Sequence, residues 1–339
     1  MTPVTRLLAR HRERFAERAP AWLNPTADLA SSFPEIASSA HVFTQDYGTF
    51  ESLNTVNGHC RFGDFPDWPV QGLDDVVLTL PRGKEFLDMM IACAAGALSP
   101  GGRLWLAGEI RDGIKSATRR LQSSFAQVTK IDSARHCALV CATGPAQTAT
   151  FNPEDWRREW SLVRPGRSLN IQSWPGVFNH GALDNGTALL LENLPVFAPG
   201  SRVLDLGSGA GVIGAVLLAE MPELQVTLAD TSGLACLATS RTLACNHLQA
   251  EVVASDGFSQ IEGQFDWIVT NPPFHAGHRG NPDMTPRLLA PARNFLAPRG
   301  QLILVANRHL PYQDSLRGRF SSTRVVTRNS AFQVLACQA

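Results

Sequence analysis

The stretch VLDLGSGAGVIGAVLLAE, residues 203–220, limits the possible fold more than any other part of this chain. VLDL reads as a buried strand. Gly207, Gly209 and Gly211 follow within five positions, and VIGAVLLAE reads as a helix without a proline. A strand that passes through a glycine turn into a helix opens a parallel α/β layer structure. Glycine reaches positive φ and lets a ligand approach the backbone. The helix start then offers N–H groups that have no partner within the helix.

The spacing beyond this unit repeats the theme. QVTLAD (225–230), AEVVASD (250–256), FDWIVT (265–270), QLILVAN (301–307) and AFQVLACQ (331–338) read as strands. Residues 234–248 read as a helix, and 287–296 as a short one interrupted by Pro291. In the first half, 74–81, 102–109 and 136–142 read as strands, with helices at 84–98 and 114–125. The two halves echo each other. LSPGGRLWLAGE (98–109) matches LAPRGQLILVAN (296–307), and the segments after each also correspond. The expected organisation is therefore two similar α/β domains, 1–145 and 166–339, joined by a linker at 146–165. The first copy lacks the glycine turn and the NPPF sequence of the second, which marks it as degenerate. With 339 residues, two cores of ordinary size are affordable.

Two nucleoside ligands suit the turn. Gly209, Gly211 and Gly214 match a dinucleotide fingerprint, with Asp230 as the acid at the end of the next strand. Asp205, on the first strand, is unhelpful beside a pyrophosphate and reasonable beside an ammonium or sulfonium, which favours S-adenosylmethionine. Asp256, ending a later strand, is a candidate for the adenine or for a helix cap.

NPPF, residues 271–274, lies just past a strand end, where such sheets bind ligands. Asn271 offers a side-chain acceptor. Pro272 and Pro273 stiffen the loop and carry carbonyls without N–H groups. Phe274 offers a stacking face. Together they suit a flat ring with an exocyclic amine, whose two hydrogens need acceptors while its lone pair is aimed at an electrophile.

With these motifs in order, the sequence resembles the class I S-adenosylmethionine-dependent methyltransferases that act on amino nitrogens. It resembles most the bacterial ribosomal RNA guanine-N2 methyltransferases of the small-subunit type. VLDLGSGAG, LAD, PGVFNHGALDNGTALLLENLP, NPPFHAG and VANRHLPY carry the resemblance in the second half, and GEIRDGIKSA and IDSARHCAL in the first. The resemblance implies tandem Rossmann-like methyltransferase domains, the first degenerate and the second catalytic. It implies that Gly207, Gly209 and Gly211 form the cofactor loop, that Asp230 holds the ribose and that Asp256 lies near adenine. Asn271, Pro272 and Phe274 would hold the target guanine. Ser208 stands where many relatives carry cysteine. Methylation of 23S ribosomal RNA, glutamine-N5 methylation of a protein, a nicotinamide-dependent oxidoreductase and a silent RNA-binding module are the rival readings.

Charge is uneven although Lys plus Arg and Asp plus Glu are both 30. Nine arginines fall between 279 and 328, opposed by Asp283 and Asp314 alone, which suggests a rim for RNA phosphate. Arg111, Lys115, Arg119 and Arg120 form a smaller cluster in the first half. The seven cysteines are scattered without CxxC spacing, so neither a disulfide framework nor a metal site is expected. No apolar run reaches membrane-spanning length, and a cytoplasmic protein is expected.

Overall fold

The computed structural model describes residues 1–34, 41–55, 60–68, 72–146, 150–272, 288–310 and 312–339. It divides into two compact units: 1–157 with 174–176, and 158–173 with 177–339.

Each unit is built on a seven-stranded sheet. In the first, β1 (Ala21–Leu23), β2 (Val42–Thr44), β3 (Cys60–Phe62), β4 (Leu73–Thr79), β5 (Leu98–Glu109), β6 (Phe125–Ala134) and β7 (Cys137–Pro145) lie in the order β3-β2-β1-β4-β5-β7-β6. A hairpin follows, β8 (Arg158–Arg164) and β9 (Arg167–Ser173). The second sheet holds β10 (Arg202–Leu206), β11 (Gln225–Asp230), β12 (Glu251–Ala254), β13 (Phe265–Thr270), β14 (Leu296–Asn307), β15 (Ser322–Arg328) and β16 (Phe332–Gln338). Its order, β12-β11-β10-β13-β14-β16-β15, is the order of the first sheet strand for strand. In both, five strands run parallel, the sixth in spatial order (β7 or β16) runs against them, and the edge strand (β6 or β15) runs with the five again.

The internal repeat therefore extends to topology. β5 and β14, the two matching 12-residue segments, even share one burial pattern along their length. The central strands are apolar on both faces because helices cover both sides of a parallel sheet. Val203, Leu204, Ile268, Val269, Leu302 and Leu304 are all buried.

The stretch 146–165, expected as a linker, contains a 3-10 turn at Pro153–Trp156 and all of β8. Its partner β9 is tied to the helix Gly233–Cys245 by Gln172 N–H donating to Thr242 Oγ1 at 3.0 Å. Strand alternation in WSLV and LNIQ is short and flanked by arginines, so it reads as polar connection. Residues 290–295, expected within a helix, are a 3-10 turn, because Pro291 cannot donate to an α-helical ladder.

Candidate functional site

In the second sheet β10 and β13 are neighbours. The chain proceeds from β10 toward β11 and β12 on one side, and from β13 toward β14 on the other. The crevice beyond their carboxyl ends is the topological switch point, where open α/β sheets take ligands. Gly207 follows β10 and Asn271 follows β13. Thr270 Oγ1 donates to the Leu206 carbonyl at 2.6 Å and ties the two strand ends together.

The glycine turn needs its glycines. Gly207, Gly209 and Gly211 have φ of 78°, 56° and 76°. A Cβ on Gly211 would stand 3.1 Å from the Thr239 backbone, whereas one on Gly207 would meet nothing within 4 Å. The turn thus packs on protein at one end and opens to space at the other. The Gly207 and Ser208 N–H groups donate to the Ala229 carbonyl at 2.7 and 3.0 Å. Ser208 Oγ lies 3.0 Å from Thr239 Oγ1, so this serine holds the turn to the helix Gly233–Cys245.

The acids divide by environment. Asp205 is fully buried beneath the turn. Its Oδ2 accepts from Gly214 N–H at 2.9 Å, while Oδ1 has no partner. Burial pushes its carboxyl up to about 7, against the Gly214 N–H and with help from the Asp230 charge. Asp230 ends β11, half-buried. Its two oxygens accept from Gly209 N–H and Ser232 N–H, both at 2.9 Å. Asp256 lies beyond β12 with an exposed side chain, and its own N–H donates to Ser259 Oγ at 3.2 Å. Ser255 N–H donates to the Asp230 carbonyl at 2.9 Å, so the two acid-bearing loops are joined.

Asn271 is 8% exposed. Its Nδ2 donates to Thr187 Oγ1 at 2.8 Å and to Asp184 Oδ2 at 3.1 Å, while Oδ1 is buried without a partner. Pro272 is buried beside it. Pro273, Phe274, Arg279, Asp283 and Arg287 lie outside the described residues.

Sequence reasoning missed the residues of the segment 177–187 as individual site candidates. Phe178 is 48% exposed, and a Cβ on Gly209 would lie 3.3 Å from both the Cβ and the carbonyl oxygen of Phe178, so this residue borders the glycine turn. Asp184 caps the helix Asn185–Leu191. The signal that could have found it was Asp184 three residues before Thr187 and ahead of an apolar run, which is an N-cap pattern.

Strand direction sorts the arginines. Arg308 follows β14 and Arg328 ends β15, at the carboxyl edge shared with Asn271. Arg299 and Arg319 stand at the opposite edge, where Arg293 Nη1 donates to the Arg319 carbonyl. These five are exposed and form no ion pair among the described residues. In the first unit, Arg111 pairs with Glu109 and Arg120 with Asp88, so that cluster is partly neutralised.

Among the described residues, no group of three or more His, Cys, Asp or Glu could hold a metal ion, and no helix is long and apolar enough to cross a membrane.

Family models match both units: "Methyltransferase small domain N-terminal" over residues 5–160 and "Methyltransferase small domain" over 168–336. The chain is 36% identical to ribosomal RNA small subunit methyltransferase C of Shewanella amazonensis, over 97% of each chain. It is 40% identical to the same enzyme of Hahella chejuensis, over 77% of this chain and 76% of that one. Among solved structures, it superposes on the T. thermophilus 16S rRNA guanine-N2 methyltransferase, in complex with AdoMet and guanosine, with a TM-score of 0.86. That match has 26% identity and covers 99% of this chain and 92% of the other.

Proposed function

Because the chain belongs to the ribosomal RNA small subunit methyltransferase C family, we propose that its second unit methylates a guanine of 16S ribosomal RNA at the exocyclic N2, with Asn271 as the group that holds the amine. The protein is an S-adenosylmethionine-dependent methyltransferase with two tandem methyltransferase-like domains, and ribosomal RNA is its partner. Ribosomal RNA as substrate supports a cytoplasmic location in a bacterium.

The residues present fit the cofactor. Gly207 leaves open space where a side chain would stand, Asp230 ends the neighbouring strand, and Asp205 has a buried oxygen in need of a donor. In this reading Gly207, Gly209 and Gly211 line the cofactor, Asp230 accepts from the ribose hydroxyls, and Asp256 lies near the adenine. Bound S-adenosylmethionine supplies a methyl group made electrophilic by its sulfonium.

The single observation that carries the assignment of Asn271 is its unpartnered Oδ1 at the switch point. A buried acceptor left unmatched costs free energy, and an N2–H of guanine is the donor that would match it. The Pro272 carbonyl is the second acceptor, and Pro273 and Phe274 complete the loop as stiffener and stacking face. The guanine amine is a weak nucleophile because its lone pair is conjugated. Two acceptors on its hydrogens fix the lone pair toward the methyl and stabilise the positive charge that develops on nitrogen. The proton leaves after transfer, so no strong base is required beforehand. The target must be unpaired or extruded, since its amine is otherwise inside a helix.

The test is methyl transfer from labelled S-adenosylmethionine to 16S RNA, 23S RNA, assembled small subunits and protein release factors, with the labelled base mapped. Label on guanine N2 of 16S RNA is expected, and label on 23S RNA or protein alone would overturn the reading. Asn271→Ala is expected to slow single-turnover transfer by about 100–1000-fold with cofactor affinity unchanged. Transfer at the parental rate would remove Asn271 from its role.

A further inference from the structure

The amide of Asn271 could face the crevice with either end. Only the oxygen end can accept from an amine, so the direction of the amide decides whether the residue works. Thr187 Oγ1 does not decide it, because a hydroxyl can donate or accept. Asp184 does. Asp184 Oδ2 already accepts from the Thr187 N–H and stands 3.1 Å from the amide nitrogen, so the NH2 end is the end that can face it. The amide oxygen is then left pointing away from both residues, buried and unpartnered.

Asp184 is itself held firmly. Its N–H donates to Asn179 Oδ1 at 2.8 Å, and its Oδ2 accepts from Thr187 N–H at 3.0 Å as the N-cap of the helix Asn185–Leu191. Gly186 keeps the space around the carboxylate clear: a Cβ there would lie 2.9 Å from Asp184 Oδ2 and 3.3 Å from the Phe332 ring. Helix capping alone needs one acceptor for the Thr187 N–H. The bond to Asn271, 87 residues away in sequence, is additional to that.

We propose that Asp184 is a positioning residue for methyl transfer, which locks the Asn271 amide with its oxygen presented to the target amine. The proposal rests on the reading of Asn271 as the group that holds that amine. Asp184 touches neither substrate nor cofactor in this role and acts through Asn271 alone.

The experiment measures single-turnover methyl transfer, with S-adenosylmethionine and 16S ribosomal RNA both saturating. The variants are Asp184→Ser, Asp184→Asn, Asn271→Ala and the combination of Asp184→Ser with Asn271→Ala. Serine is a good N-cap but too short to reach Asn271. Asparagine can set its carbonyl oxygen where Oδ2 stands and accept from both donors. Asp184→Ser is expected to slow transfer on the order of 10–100-fold without weakening cofactor binding, since misplacing a reacting group has effects of that size. Asp184→Asn is expected to recover most of the loss, and the combined variant to be no slower than Asn271→Ala alone. Parental rates for Asp184→Ser beside a slow Asn271→Ala would overturn the role of Asp184 and leave Asn271 standing. Losses that multiply in the combined variant would show Asp184 acting independently and would also overturn it. A parental rate for Asn271→Ala would overturn both assignments.

Discussion

Asp205 is a carboxylate enclosed by protein with one oxygen unmet, and this makes it a reporter of the crevice above it. Its carboxyl is raised to about 7 from an ordinary value of 3.8, chiefly by burial. The folded protein therefore binds this proton more tightly than the unfolded chain does. The stability it contributes is complete below about pH 4 and is lost as pH rises toward 7. The cofactor-free protein is expected to lose thermal stability across that window, and Asp205→Asn to flatten the curve there. Identical pH profiles for the two proteins would exclude Asp205 as the source. The residue also shows what a sequence can and cannot disclose. Its place in VLDLGSGAG marks it as part of the site. That one oxygen is committed to Gly214 N–H, and that the other is buried without a partner, depends on packing.

Turn, helix and neighbouring strand act as one element here, and Gly214 is where they meet. A Cβ at this position would stand 2.2 Å from Leu228 Cδ2, in a fully buried part of β11. Gly214→Ala is expected to destabilise the protein by about 1–3 kcal/mol through overpacking. It should also weaken cofactor binding, because the helix start carries the glycine turn with it. Thermal unfolding and cofactor titration check the two effects, and an unchanged midpoint would show that Leu228 moves aside freely. Elements of this kind were legible because their apolar runs are continuous: β11 and β13 begin and end where the sequence places them. Others were not. β1, β2 and β3 are three residues each, too short for a period to show. β6 and β15 carry mostly exposed or half-exposed side chains on the sheet edge, so TKIDSA and STRVVTR read as connection. The pairing of Asp184 with Asn271 is a contact between distant elements, and no local pattern encodes it. The edge strand matters for function as well. Arg308 and Arg328 stand at the carboxyl edge, whereas Arg299 and Arg319 stand at the amino edge. Arg328→Gln and Arg308→Gln are each expected to lower the salt slope of RNA binding by about one, and Arg299→Gln and Arg319→Gln to leave it unchanged. Equal effects at both edges would show that RNA contact is not confined to the crevice side.

The whole molecule repeats one topology twice, yet its two crevices differ residue by residue. β1 pairs with β2 through Leu23 and Phe43 as β10 pairs with β11 through Leu206 and Ala229. Asn24 thus occupies the place of Gly207, and its N–H donates to the Phe43 carbonyl at 2.8 Å as Gly207 N–H does to Ala229. Beyond this shared bond the two units diverge. The first turn leads into Pro25, and Thr44 stands at the place of Asp230. The Asn24 side chain exchanges two bonds of 2.9 Å with Gln45, a residue 5% exposed. The Asn24 amide accepts from the Gln45 backbone N–H and donates to the Gln45 side-chain oxygen, linking the ends of β1 and β2, where a Cβ on Gly207 in the second unit would meet nothing within 4 Å. At the end of β4, Thr79 and Leu80 stand where Asn271 and Pro272 follow β13, and Leu80 packs so tightly on Gly108 that a Cβ there would be 2.4 Å away. The first unit shares the sheet order and lacks the glycine turn, the acid and the asparagine at these places, so the chain is expected to bind one molecule of S-adenosylmethionine. Asp230→Ala, which removes a charged acceptor worth roughly 1.5–3 kcal/mol, should weaken that single event by about 10–100-fold. Calorimetric titration of the parent protein should give a stoichiometry near one per chain. Two binding events, or one that survives Asp230→Ala at full affinity, would mean that the first unit holds a cofactor after all and that the Asn24–Gln45 bridge opens to admit it.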